Sequence, residues 1–224
     1  MRKPVVDYRK FRLSKINDPE FSHLKLLLGW VVYFLFYYLT ENFIPESACH
    51  LMHSRLDDMI PFNEFFFIPY CFWYLLIVIS LGYFALYNVE NFKNLQIYII
   101  ITQVVAMTVY ILYPSYQDLR PASFERHNFF TWLAGLIYTF DTPTGVCPSL
   151  HVAYSLGIGS CWLKEKSASK GWKAFVVFSV ILISISTMVV KQHSSIDVLA
   201  ALPLGLLAEI LVFHKYWKKK LQKV

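Results

Sequence analysis

The chain is 224 residues long, 56% hydrophobic and only 16% charged, with a formal net charge of +6. Soluble domains carry charge on roughly a quarter of their residues, so the composition excludes an ordinary water-soluble domain, and the length allows one domain. A nucleic-acid partner is excluded as well, because the lysines and arginines gather at the chain ends and in short connections between apolar runs, where membrane proteins place them.

Residues 1–23 are polar and carry Arg2, Lys3, Arg9, Lys10, Arg12 and Lys15. A signal peptide would turn apolar sooner, so this stretch reads as a basic cytoplasmic segment. Residues 24–217 read as one membrane domain with six apolar segments: Leu26 to Thr40, Phe65 to Tyr87, Leu95 to Tyr113, Pro148 to Leu163, Ala174 to Val190 and Ile196 to Trp217. Residues 218–224 form a basic tail. A membrane helix takes about 20 residues, so the first and fourth segments need flanking residues to span. Tyr33, Tyr37, Tyr38, Trp73, Tyr83 and Trp162 suit either interfacial belts or helix contacts. Between the first two segments, His50 to Asn63 mixes Asp57, Asp58 and Pro61 with apolar residues and is expected to lie along the outer surface. Phe129 to Phe140 is apolar but too short to cross, which predicts an interfacial helix before the fourth span.

The expected fold is therefore all-α, a six-transmembrane-helix bundle. Lys93, then Lys164, Lys166, Lys170 and Lys173, then Lys215, Lys218, Lys219, Lys220 and Lys223 fall on the same side as the basic N-terminus. The other side receives only Arg55, Arg120, Arg126 and Lys191. The positive-inside rule then places both termini in the cytoplasm. Cys71 and Cys161 lie in apolar runs and read as packing residues; Cys49 and Cys147 share the outer side, but sequence cannot supply the separation that a disulfide requires.

The chemistry gathers on that outer side. Arg120-Pro121 follows the third segment, Pro148-Ser149-Leu150-His151 opens the fourth, and Lys191-Gln192-His193-Ser194-Ser195-Ile196-Asp197 opens the sixth. Ionisable groups near the membrane interior are functional candidates by default. His193 and Asp197 are four apart, so on a helix they share a face. The pair either staples the helix end or fixes one imidazole tautomer and leaves the other nitrogen as nucleophile or base. Pro148 suits a first helical turn; the amides there, with the Ser149 hydroxyl, make either a capped end or a phosphate seat. His151 just inside is placed to protonate a leaving oxygen. Arg120 offers a planar fork for phosphate oxygens or for lipid headgroups. Lys191 is a second phosphate clamp or a boundary lysine. Arg126, His127, His50 and His53 share the side without forming a motif.

These motifs resemble the type 2 phosphatidic acid phosphatase superfamily, over the chain from about Leu24 onward. The resemblance implies a six-helix bundle and a metal-independent reaction that needs no cofactor. It implies His193 as the nucleophile that forms a phosphohistidine, Asp197 as its orienting carboxylate and His151 as the general acid. Arg120 and Ser149 match phosphate-binding positions. Two positions depart: Tyr113 stands where the family has a lysine, and Thr187 where it has an arginine. Lys191 is the nearest replacement. The departures are similar to the branch that includes inositol phosphorylceramide synthase, which passes a phosphate headgroup to an alcohol. The expected function is thus a lipid phosphate phosphatase in the bilayer, acting on its non-cytoplasmic face. Phosphatidic acid, phosphatidylglycerol phosphate and polyprenyl diphosphate are the candidate substrates. A headgroup transferase is the first alternative and a non-enzymatic lipid transporter or binding protein the second.

Overall fold

The computed structural model describes residues 3–222, the side chains of Lys220 and Leu221 excepted. Arg2 and Lys223 of the expected basic ends lie outside the described residues. In chain order the helices are α1 (Leu28–Phe43), α2 (Arg55–Met59), α3 (Phe67–Tyr87), α4 (Val89–Leu112), α5 (Phe129–Phe140), α6 (Leu150–Lys164), α7 (Lys170–Val189) and α8 (Ser195–Leu221). Two short strands, β1 (His50–Leu51) and β2 (Ser115–Tyr116), pair in parallel.

Local chemistry sets the helix starts. Asn88 accepts from the Asn91 amide and begins α4 six residues before its continuous apolar run. Ser169 accepts from the Trp172 amide and starts α7 at Lys170. Asn128 caps α5 with a reciprocal bond from its own amide to Thr131, so the apolar stretch Phe129–Phe140 begins where the sequence places it. Each of these side chains satisfies an amide that the helix itself leaves open.

Among the described residues, five helical segments are long and apolar enough to cross a membrane: Ser22–Phe43, Glu64–Tyr87, Val89–Leu112, Lys170–Val189 and Ser195–Lys219. Their outer faces carry exposed Val31, Leu35, Val78, Phe178, Leu199 and Ile210, a surface that lipid tolerates and water does not. The helix α6, the expected fourth span, has 15 residues. It is the most enclosed element, packed on α4, α7 and α8 and touching α3.

The connections sort to two ends of the bundle. At one end Glu165, after α6, accepts from Asn88 and Asn91 at the start of α4. The Val5 amide donates to Leu86 at the close of α3. At the other end lie the β1–β2 pair, α2, α5 and the α7–α8 turn. Cys49, Cys71, Cys147 and Cys161 are all free thiols.

Close packing at the centre turns on Tyr98. Its ring is buried and its hydroxyl donates to the Gly205 carbonyl of α8 at 2.9 Å. A methyl group at Gly157 of α6 would stand 2.5 Å from that ring. Small residues at such crossings let helix backbones approach. Gly157→Ala is therefore expected to cost about 1–3 kcal/mol through overpacking. The melting temperature of the detergent-solubilised protein should fall by several degrees. Gly82→Ala, whose new methyl meets nothing within 4 Å, should leave it unchanged or slightly raised. Equal melting of the two variants would remove Tyr98 as the central constraint.

Candidate active site

The three sequence stretches meet at the end of the bundle that holds α2 and α5. Ser149 caps α6, accepting from the Val152 amide at 3.5 Å, and its own amide donates to the Asp197 carbonyl at 3.1 Å. The first turn of α6 is thereby joined to the first turn of α8. Tyr110 of α4 donates to the Pro148 carbonyl at 2.7 Å and fixes the approach to α6.

His193 and Asp197 face each other as their spacing predicts. His193 Nδ1 stands 3.3 Å from Asp197 Oδ2, and the Ser194 amide donates to the same oxygen at 2.8 Å. A carboxylate only accepts, so Nδ1 is the donor, and in the neutral ring this tautomer leaves the lone pair on Nε2. Asp197 is fully buried and His193 nearly so. The His151 ring lies 5.6 Å from the His193 ring, centroid to centroid. Tyr70 stacks on it at 4.7 Å and Trp73 packs at 4.1 Å. These rings hold the imidazole, while its buried Nε2 has no hydrogen-bond partner among the described residues.

Both histidines line a cavity of about 650 Å³. Its walls are largely aromatic, with Trp30, Tyr33, Tyr37, Trp73 and Tyr74 among them. Polar groups enter at one side from Asp141, Thr142, Thr144 and Gln192. A large apolar cavity with a few converging polar groups is the usual form of a ligand site.

The expected phosphate-binding residues are placed differently. Arg120 does not line the cavity. Its guanidinium donates to the carbonyls of Tyr138 (3.2 Å), Asp141 (2.7 Å) and Thr142 (3.1 Å), and to the Gln192 side-chain oxygen. It also sits 4.6 Å over the Tyr138 ring, and burial lowers its pKa. Ser149 is buried at the helix cap, outside the cavity wall. Lys191 turns away entirely: its ammonium donates to the carbonyls of Asp57 at 2.8 Å and Ile60 at 2.5 Å. The reason is backbone geometry. Lys191 has φ of 55°, a left-handed conformation that is uncommon outside glycine, and its side chain leaves the turn toward α2. Burial lowers its pKa, against the pull of Asp57 and Asp58.

Sequence reasoning did not single out Asp141 or Gln192. Asp141 accepts from Tyr37 at 3.0 Å, Tyr70 at 3.4 Å and Gln192 at 2.9 Å. Gln192 thus bridges Arg120 and Asp141 beside the nucleophile candidate. Its position within Lys191-Gln192-His193 was the available signal; Asp141 carried none beyond closing α5. Cys147 lies near Asp197, and burial first, then that carboxylate, push its thiol up to about 12. It therefore remains protonated at neutral pH. Of the other outer residues, His53 lies between Asp58 at 2.7 Å and Asp118 at 3.0 Å. Arg126 pairs with Glu64 at 3.3 Å, and His50 stacks on Tyr113. Among the described residues no group of three or more His, Cys, Asp or Glu is arranged to hold a metal ion.

No family model, curated protein or solved structure matches the chain.

Lys191→Met would leave the Asp57 and Ile60 carbonyls without their charged donor, at a cost of about 1.5–3 kcal/mol. It is expected to lower the melting temperature by several degrees. A variant that melts like the wild type would release Lys191 from this anchoring role.

Proposed function

We propose that the chain is a membrane lipid phosphate phosphatase working through a phosphohistidine at His193. The observation that carries this reading is the His193–Asp197 pair set 5.6 Å across from His151 on the wall of one aromatic cavity. The resemblance of the motifs to the type 2 phosphatidic acid phosphatase superfamily supports the same roles.

In this scheme the lone pair of His193 Nε2 attacks phosphorus, and the bond from phosphorus to the lipid oxygen breaks. Asp197 keeps the Nδ1 proton in place and offsets the positive charge that grows on the ring. His151 gives a proton to the leaving lipid alkoxide. Water then attacks the phosphohistidine; His151 takes its proton, and phosphate leaves as His193 recovers its lone pair. Positioning and charge neutralisation do most of the work in such transfers. Acyl chains lie against the aromatic wall and in the adjoining bilayer. Phosphatidic acid, phosphatidylglycerol phosphate and polyprenyl diphosphate are the candidate substrates. In the bilayer, α6 completes six spans with both termini cytoplasmic, and the cavity opens on the non-cytoplasmic side.

One observation favours a second reading, transfer of a phospho-headgroup to an alcohol. Among the described lining residues there is no lysine or arginine, and Asp141 is the one carboxylic acid. Arg120 and Lys191 are held by protein carbonyls. A phosphodiester carries one negative charge and asks less of nearby cations than a monoester dianion does.

The test is phosphate release from a panel of lipid phosphates by purified protein in detergent, with EDTA present. Wild type is expected to release phosphate. His193→Ala should lose about 10³-fold or more and Asp197→Asn about 10²-fold or more. No release by wild type from any lipid, followed by headgroup transfer when an alcohol is added, would replace the phosphatase with the transferase. Turnover that survives His193→Ala would end both enzymatic readings at this histidine.

A further inference from the structure

The helices α6, α7 and α8 frame a second cavity, of about 710 Å³, away from the histidines. Lys164 lies thirteen residues beyond His151 on the same helix, so about 20 Å separates the two ends. Leu156, Val177, Ile181, Leu202 and Leu206 give the cavity an apolar wall. Leu202 and Leu206 are half-exposed on the outer surface of α8, so the cavity opens sideways.

At its far end stands a charged cluster. Lys164 of α6 pairs with Glu209 of α8 at 2.6 Å, with side chains 10% and 16% exposed. Ser160 and the Trp217 indole also donate to Glu209. The Lys164 ammonium sits 4.1 Å over the Phe213 ring and 5.2 Å from both Tyr216 and Trp217. Helix packing does not call for this arrangement. Desolvation offsets most of the attraction in a nearly buried pair, and apolar side chains of similar volume would pack at least as well. Ionisable groups within membrane helices instead mark binding or transport sites.

We propose that this groove binds one anionic glycerophospholipid of the surrounding leaflet. An acyl chain lies along Leu202, Leu206 and Ile181, and the phosphate meets Lys164. Lys164 lines the cavity, and its ammonium reaches Glu209 and Ser160; an ammonium has three donors, and in this proposal a phosphate oxygen joins these two partners. The charge around the mouth selects an anionic headgroup. Lys166, Lys170 and Lys173 follow on the α6–α7 side, and Lys215, Lys218 and Lys219 on α8. The nearby Glu165 turns inward to Asn88 and Asn91. With Lys164 and Glu209 neutralising each other, these lysines set a positive surplus. Basic pockets between membrane helices recognise anionic headgroups in this way. The volume lies within the usual range of small-molecule ligand pockets, enough for a headgroup and part of an acyl chain.

The experiment offers equimolar phosphatidylglycerol and phosphatidylcholine to purified protein in detergent and counts retained lipid by native mass spectrometry. Wild type is expected to keep one phosphatidylglycerol with a preference of about fivefold or more. Leu206→Trp, which fills the groove from an exposed position, should abolish retention while the lipid-free melting temperature stays unchanged. Should that variant misfold, Leu202→Trp makes the same test. The triple variant Lys215→Gln, Lys218→Gln and Lys219→Gln lowers the positive surplus around the mouth and leaves the groove itself unchanged; it should retain lipid and lower the preference by about twofold or more. Equal or greater retention of phosphatidylcholine by wild type would overturn the proposal. So would an undiminished preference in the groove-filled variants, which would place the lipid on the surface lysines alone. Neither result depends on phosphoryl transfer at His193.

Discussion

The turn between α7 and α8 is the constraint on which the histidine end depends. It presents His193 while reversing the chain, and it is almost entirely buried: Val190, Lys191, Gln192, His193, Ser194 and Ser195 all lie in the interior. Buried backbone must find partners inside the protein, and the partners here come from several elements. The Val190 carbonyl accepts from Tyr138 of α5, and the Lys191 carbonyl from Gln117 beyond β2. The Ser195 amide donates to Asp57 of α2 at 2.7 Å. The Gln192 and His193 amides both donate to the Thr187 carbonyl. Lys191 closes the set by reaching back to α2. The short helix α2 and the β1–β2 pair therefore have a role beyond covering the bundle, because they hold the backbone from which the nucleophile candidate projects.

That network explains why the cations anticipated from the sequence are turned away from the cavity. A charge in a poorly hydrated interior needs several fixed dipoles, and carbonyls at loop ends are the nearest supply. Arg120 takes three of them and the Gln192 oxygen; Lys191 takes two. Both become supports of the loops that frame the site. Thr187 stands where the resembled family has an arginine, and its carbonyl is already committed to the turn. Gln192 couples the two sides, since one end of its amide meets Arg120 and the other meets Asp141. A movement of Arg120 toward the cavity would break this bridge.

The helices were legible in the sequence because apolar length and capping residues are local signals. Phe129–Phe140 came out with its boundaries intact, since Asn128 and Asp141 bracket it in the sequence itself. The start of α4 did not, because Asn88 caps a polar first turn that carries no hydrophobic run. Among site residues, the His193–Asp197 contact follows from helical spacing alone. The position of His151 against Tyr70 and Trp73 does not, since it requires the packing of α3 on α6. Tyr33 and Tyr37 fitted interfacial belts by type, yet they line the cavity. An aromatic residue near a membrane surface has the same local signature in either role, and only the neighbouring helix decides between them.

The shortness of α6 draws these observations together. At 15 residues it measures about 22 Å, against a hydrocarbon layer of about 30 Å. A helix that faced lipid would meet a mismatch on both sides. Enclosed by α4, α7 and α8, α6 meets protein instead, so polar residues can stand at each end without contacting hydrocarbon. His151 takes one end and Lys164 the other, each beside a cavity; near His151 the Ser149 amide joins α6 to Asp197 of α8, and at the other end Lys164 pairs with Glu209 of α8. The glycine contact at Tyr98 lies between them and makes that enclosure possible. The same close packing that stabilises the bundle thereby creates two protected polar ends. One carries the histidine site for which phosphoryl chemistry is proposed, and the other the groove proposed to hold a lipid of the leaflet.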